Sequence, residues 1–416
     1  MAEWEHKPLS EVCGFQRGLT YAKADEADSP GHTVLRANNI DLTSHELDFD
    51  ELKFISDSVA VPASKIVRPG SLLVCTASGS KAHLGKVAYI DSDYGYAFGG
   101  FMGQITPSKA VEGRYLFYAL ISPRYKDFIE ALSDGVNINN LKFDDLGRFP
   151  VPLPPLPEQR RIVAILDEAF EAIATAKANT ERSLALADEL ALALEERCYD
   201  EHVDAAFEAR PLADLCELIV DCEHKTAPTQ ETGYPSIRTP NIGRGVLVLD
   251  DVNRVSEETY QAWTRRAKPQ RGDLILAREA PAGNVAVIPE GLEVCLGQRT
   301  VLIRPKTTIL VPQYLAWLLL QRRSQERLLA HSRGATVQHI NMKDIRAFKI
   351  SQVPSLEVQG RVVEVLADIH DKWQFMASAK KRKLSAIDEI KKSILHQAFT
   401  GQLTAKSTDQ QLEAVA

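Results

Sequence analysis

Two spacings of apolar residues alternate along this chain. Over residues 1–152 and again over 202–353, short apolar runs are cut by Gly, Pro and Asn. Examples are Ser71-Leu72-Leu73-Val74 and Lys86-Val87-Ala88-Tyr89-Ile90, then Asp273-Leu274-Ile275-Leu276 and Asn284-Val285-Ala286-Val287-Ile288. Runs of this length between turn residues predict strands. A helical stretch follows in each segment, Arg114 to Leu132 and Pro312 to His331, with apolar residues three to four apart. The mixture predicts α+β domains.

The other spacing is that of long helices. The proline-dense stop Pro150 to Pro157 ends on a residue tolerated in a first helical turn, and neither Gly nor Pro follows from Glu158 to about Tyr199. Ile162, Leu166, Ala169, Ile173, Ala176, Thr180, Leu184, Ala187, Ala191, Leu194 and Cys198 form a heptad-like seam. A second seam runs from Leu356 to about Phe399 through Val362, Leu366, Ile369, Trp373, Met376, Leu384, Ile387, Ile394 and Ala398, stopping at Thr400-Gly401. At 1.5 Å per residue each helix would span on the order of 60 Å. Neither can bury its seam alone, so the two are expected to pack on each other. The boundaries that follow are a first domain at 1–152, a helix at 153–201, a second domain at 202–353, a helix at 354–401 and a flexible tail at 402–416.

An internal repeat with a period near 200 residues underlies the alternation. Lys7-Pro8-Leu9 matches Arg210-Pro211-Leu212, Leu35-Arg36 with Asn39-Ile40 matches Ile237-Arg238 with Asn241-Ile242, and Pro69-Gly70-Ser71-Leu72 matches Arg271-Gly272-Asp273-Leu274. Gly85-Lys86-Val87-Ala88 matches Gly283-Asn284-Val285-Ala286, and Arg161-Ile162-Val163 matches Arg361-Val362-Val363. The period is far longer than the roughly 20–50 residues of a solenoid unit. A chain that leaves one domain, runs along a helix, builds a like domain and returns predicts antiparallel helices and a pseudo-two-fold axis. Two similar modules at a fixed separation are how proteins read two half-sites on one duplex.

Charge limits how such reading could work. The 416 residues carry a net charge of −7, which argues against a protein that simply coats DNA. By segment, 1–157 has net −5, 158–201 has −6, 202–356 has +3 and 357–400 has +2. The opposite signs of the helical segments suit their pairing, and DNA contact would need local basic patches helped by partner subunits. No apolar run approaches the ~18 residues of a membrane span and no signal pattern opens the chain, so the cytoplasm is expected. Six scattered cysteines without a CxxC pair read as free buried thiols.

The segment Gly272-Asp273-Leu274-Ile275-Leu276-Ala277-Arg278-Glu279, with Gly283-Asn284-Val285-Ala286 and Cys295-Leu296-Gly297-Gln298-Arg299, resembles the target recognition domain of type I restriction-modification specificity subunits. So do Ser78-Gly79-Ser80 and Ala97-Phe98-Gly99-Gly100-Phe101 in the first copy. Val151-Pro152-Leu153-Pro154-Pro155-Leu156-Pro157-Glu158-Gln159 opening a long helix is similar to the family's first conserved region; Val353-Pro354-Ser355-Leu356-Glu357-Val358-Gln359 keeps its leucine and glutamine with fewer prolines. The resemblance covers nearly the whole chain. It implies a non-catalytic subunit of a restriction enzyme and adenine methyltransferase complex, with each domain reading half of a split, asymmetric site on double-stranded DNA. The helices would dock two methyltransferase subunits, and a translocating nuclease subunit is a further partner. No cofactor is implied.

Base edges are read by Arg or Lys at guanine and Asn or Gln at adenine. Candidates in the first domain are Ser78, Ser80, Lys81, His83 and Lys86 on one loop, with Arg278, Glu279 and Asn284 on its counterpart. The glycines of this loop would let backbone approach a phosphate; the alternative is a plain hairpin. A second group is Asn137, Asn139, Asn140 and Lys142, matched by Gln338, His339, Asn341 and Lys343, where capping of turns is the alternative. Arg36, Asn39, Arg238 and Asn241 form a third, with a structural role between strands equally open. Lys380-Lys381-Arg382-Lys383 reads as a solvated helix face or a phosphate contact.

Several literal motifs fail. Ser78-Gly79-Ser80-Lys81 has no companion lactamase motif. Cys216, Cys222 and His224 lack a second ligand pair, so no metal is expected. There is no phosphate-binding loop, and Pro154-Pro155-Leu156 is not the Asn/Asp-Pro-Pro-aromatic motif of adenine methyltransferases. The rivals are a stand-alone nuclease or methyltransferase with unrecognised catalytic residues, and a helical scaffold that reads nothing.

Overall fold

A computed structural model describes residues 4–28, 31–133, 140–202, 208–279, 281–330 and 338–404. It divides into two compact units: residues 1–180 with 382–416, and residues 181–381. Each long helix therefore contributes to both.

The first unit is built on a four-stranded antiparallel sheet in the order Cys13–Arg17, Met102–Pro107, Leu72–Cys75, Val87–Tyr89. The inner strand Leu72–Cys75 is apolar and buried throughout because both faces are covered. Leu72 and Val74 enter the core formed with the helices, whereas Leu73 and Cys75 enter a second core shared with Leu35, Ile40 and Phe98. A smaller sheet, Glu26–Ala27, Lys53–Ile55, His32–Leu35, Ala97–Phe98, lies over that second core and ends in a parallel pair.

The second unit repeats the plan. Cys216–Asp221, Thr300–Pro305, Leu274–Ala277 and Val285–Val287 form its main sheet, and Arg254–Val255, Tyr234–Ile237 and Cys295–Leu296 its smaller one. Leu274 and Leu276 again face the helical core, and Ile275 and Ala277 the other. The expected strands are all present, so the α+β reading holds. Both expected helical stretches are interrupted: Gly113–Ala119 precedes Pro123–Ser133, and Pro312–Leu320 precedes Arg322–Leu328. Ser122 cannot stay helical before Pro123; it caps the next helix through its hydroxyl, which accepts from Tyr125 N. Gln321 is extended at φ −55°, ψ 142° and makes the same break without a proline.

The long helices span Leu156–His202 and Leu356–Phe399. Each is clamped at its start by one fully buried glutamine. Gln159 accepts from Glu112 N at 2.8 Å and donates to Ala110 O and Pro154 O. Gln359 accepts from Val311 N at 2.8 Å and donates to Ile309 O and Pro354 O. The second junction thus keeps the whole clamp despite having fewer prolines.

Within each unit the helices run antiparallel. In the first, Lys177 pairs with Asp388 and Lys391 lies over the Phe170 ring. In the second, Trp373 Nε1 donates to Asp188 at 2.7 Å and Lys380 donates to Ser183 O. Ile162, Leu166, Thr180, Ala187, Cys198, Val362, Leu366, Ile387 and Ala398 are buried as the seam requires. Leu194 and Met376 are exposed instead, and Ala377 and Leu395 are buried. A straight helix drifts by about 20° per heptad against a strict seven-residue repeat, so a seam projected over about five heptads slips by one position. All six cysteines are free, Cys13 half-buried and five buried. Among the described residues, no helix is long and apolar enough to cross a membrane.

Candidate nucleic-acid interface

Each main sheet has an end where three segments meet: the residue before the central strand, the two residues after the Leu-rich strand, and the segment leading into a short helix. In the first domain these are Phe101, Thr76 with Ala77, and Asn140 with Leu141. In the second they are Arg299, Arg278 with Glu279, and His339 with Ile340. The backbone bonds are the same in both. Thr76 N donates to Phe101 O at 2.9 Å, and Arg278 N to Arg299 O at 2.8 Å. Leu141 N donates to Thr76 O, Ile340 N to Arg278 O, and Ala77 bridges Asn140 as Glu279 bridges His339. This is a shared corner with interchangeable side chains.

In the second domain the corner is a chain of charges. Arg278 is only 9% exposed. Its guanidinium donates to Asp221 Oδ2 at 2.7 Å, to Ile340 O at 2.9 Å and to His339 Nε2 at 3.0 Å. Donation into Nε2 makes that nitrogen an acceptor, so Nδ1 carries the proton and gives it to Glu279 Oε1 at 2.7 Å. Glu279 Oε2 holds Arg299 Nε at 2.8 Å, and Asp221 Oδ2 also meets His224 at 3.3 Å. Arg299 has the left-handed φ of +66°, a conformation that disfavours a long side chain unless neighbours fix it. With Gln298 these groups line an open pocket of about 230 Å³.

The first-domain corner has little of this. Asp221 is replaced in register by Arg17, paired with Gly103 as Asp221 is with Val301. Arg17 lies over the Phe143 ring, which stacks on Phe15 at 5.2 Å. Thr76 supplies only a hydroxyl, donated to Phe101 O. Phe101 itself is 73% exposed.

The structure gathers the sequence candidates unevenly. Arg278, Glu279 and His339 meet in the second corner, and Asn140 stands in the first. Ser78, Ser80, Lys142, Gln338, Asn341 and Lys343 lie nearby in sequence with at least partial exposure. Asn137 and Asn139 lie outside the described residues, as does the side chain of Lys81, which begins the turn Lys81–His83. Asn39, Lys86, Asn241 and Asn284 are engaged inside the domains. Asn39 accepts from Arg36 N and donates to Asp48 O and Glu51 O, and Asn241 accepts from Arg238 N and donates to Val248 O. Both asparagines are buried turn caps, with Arg36 half-buried and Arg238 exposed beside them. Buried Lys86 donates to Ile40 O at 2.7 Å and Asn284 to Ile242 O at 2.9 Å, the same tie made by two residue types. Burial lowers the Lys86 pKa below its ordinary value. It does so for half-buried His83 as well, helped by Lys86.

The glycines also answer to packing. A Cβ on Gly85 would meet Ile129 at 2.9 Å, and one on Gly283 would meet Gln325 Oε1 at 2.3 Å. Both have positive φ, so the loop turns there against a helix. Sequence reasoning missed Arg17, Asp221, Arg299 and Phe101. The available signal was position, since Arg17 and Asp221 end a strand and Phe101 and Arg299 precede one, at the end where the candidate loops emerge.

Comparison with known proteins gives a consistent picture. The family model for the type I restriction modification DNA specificity domain matches residues 1–182 and again 205–386. The type I restriction enzyme EcoKI specificity subunit of Escherichia coli is 24% identical over 422 residues, covering 97% of this chain and 90% of its own. The StySPI specificity subunit of Salmonella potsdam is 31% identical over 182 residues, 43% of this chain. A chain from a study of type I R-M complex assembly and conformational transition shares the fold at a TM-score of 0.72, with 20% identity and 97% coverage of this chain. The HsdS subunit from Thermoanaerobacter tengcongensis does so at 0.52 and 19%.

Proposed function

The chain belongs to the type I restriction-modification DNA specificity family, with two copies of its domain, and from that premise we propose how the copies divide the work. The chain is a DNA-recognition subunit of a type I complex and leaves catalysis to its partners. Each domain reads one half of a bipartite target through its sheet corner, and the two halves differ. The observation that carries this reading is the pair of corners: one backbone lattice, bearing Arg17, Thr76, Ala77, Phe101 and Asn140 in one copy and Asp221, Arg278, Glu279, Arg299 and His339 in the other. A common scaffold with unlike outward groups suits two different base sequences. The candidates Ser78, Ser80, Lys81, Asn140, Lys142, Gln338, Asn341 and Lys343 are read as contacts around these corners.

The partners are adenine methyltransferase subunits, two per complex, with a translocating nuclease subunit joining the restriction form; all act in the cytoplasm. In the second unit the helix pair carries an apolar groove of about 620 Å³ lined by Leu190, Leu194, Ile369, Trp373, Phe375 and Met376. Phe375 is 72% exposed there. Large exposed apolar groups gathered on one face mark a protein interface, and this one suits a methyltransferase subunit.

The test is selection from random DNA by the chain co-purified with its methyltransferase. A split target with unlike halves is expected, with adenine methylated within it. Turnover by the isolated chain would replace this reading with that of a stand-alone enzyme.

A further inference from the structure

The most exposed phenylalanine among the described residues and an arginine held in a strained backbone occupy the same position in the two repeats. Phe101 immediately precedes the central strand Met102–Pro107, and Arg299 immediately precedes Thr300–Pro305. Phe101 O accepts from Thr76 N, Ala77 N and Thr76 Oγ1, at 2.9, 3.1 and 2.9 Å. The backbone of Phe101 is therefore fixed while its ring stands in water. Arg299 is held from the side-chain end as well: Glu279 clamps its Nε at 2.8 Å while the side chain stays 58% exposed.

Resting on the DNA-reading role above, we propose that Phe101 and Arg299 are paired specificity determinants, each setting one base pair of its half-site. Phe101 selects thymine and Arg299 selects guanine. The chemistry follows from what a major groove offers. Its only apolar feature is the thymine C5-methyl group, the partner an exposed ring on a fixed backbone can use. An exposed guanidinium whose Nε is already engaged by a carboxylate still has its terminal N–H donors to offer the O6 and N7 of guanine. Glu279, with Arg299 on one oxygen and His339 on the other, is a positioning residue for Arg299. Arg278, buried behind it, supports His339 in turn.

The experiment uses the chain in complex with its methyltransferase, first to select the wild-type target and then to compare variants on it. Phe101→Ala is expected to lose a thymine preference at one position of one half-site and to leave the other half unchanged. Replacing that thymine by deoxyuridine should weaken the wild-type complex about fourfold, the worth of one buried methyl group, and should leave Phe101→Ala unaffected. Arg299→Ala should relax one guanine in the other half-site, at a cost of roughly 5- to 150-fold. Arg299→Lys, which keeps the charge and loses the planar fork, should relax it too.

Equal binding of thymine and uracil by the wild type overturns the Phe101 assignment, and so does a uniform loss across all sequences in Phe101→Ala. Retention of guanine preference in both Arg299 variants overturns the other. If the wild-type complex selects no split target at all, the DNA-reading role itself fails, whatever the variants do.

Discussion

The first-domain corner and the second-domain corner are built on the same hydrogen-bonded backbone, yet one is held by packing and the other by charge. In the first, Arg17 lies over Phe143, which stacks on Phe15, and a single hydroxyl bonds the carbonyl of a solvent-facing phenylalanine. In the second, Asp221, Arg278, His339, Glu279 and Arg299 form an unbroken line of polar contacts. The difference shows which parts of a duplicated domain are scaffold. Whatever recurs in both copies holds the fold, and the groups facing outward have diverged.

The strongest check on the shared scaffold is the helix seam. Leu166→Ala and Leu366→Ala each empty a fully buried position in their own unit. Each should cost about 3–5 kcal/mol in urea unfolding. The two losses should agree within about 1 kcal/mol; a large inequality would mean that the seams are not equivalent. The glutamine clamps come next. Gln159→Leu strands Glu112 N, Ala110 O and Pro154 O, and Gln359→Leu strands their counterparts. About 3 kcal/mol is expected from either, because buried groups lose their partners. Thermal melting of both variants measures it.

The next two experiments sharpen the contrast. Arg278→Ala leaves Asp221 inside without its cation and should cost about 3 kcal/mol. Thr76→Ala at the matching position removes one hydroxyl and should cost about 1 kcal/mol. Comparable losses would dissolve the distinction between a charged and a packed corner.

The smallest effect concerns Lys86 and Asn284, which make the same tie with and without a titratable group. Burial depresses the Lys86 pKa in the folded chain. Between that value and 10.5, the ordinary lysine value, the unfolded chain holds more protons, so this group's contribution to stability rises with pH. Lys86→Asn, importing the second domain's solution, should remove that alkaline rise. Urea midpoints of the variant and the wild type across pH 8–10.5 would reveal it, and parallel curves would count against it.

Much of the fold was legible because it rests on periodicity. The alternation of strand runs and long seams, the colinear repeat, and the proline stop before Leu156 all reflect local rules. The break at Gln321 was hidden, since nothing in its neighbours forbids a helix. The site was harder. Arg278 and Arg299 look alike in sequence, and only the strand register says which one faces inward. Phe101 resembles any core phenylalanine. Recurrence misled as well: Asn39 and Asn241 match because both cap a turn, whereas the corner residues that face the pocket differ between the copies.

The line of contacts from Asp221 to Arg299 also bears on how the two domains can evolve. Phe101 touches little, so replacing it alters the corner at almost no cost to the fold, and drift can explore new residues there one at a time. Each link in the second corner satisfies its neighbour, so a single replacement leaves a polar partner short of a contact and is open to selection against instability. Change there requires several substitutions together or exchange of the whole domain. The two halves of one gene would then explore sequence space at different rates, the first by small steps and the second by jumps.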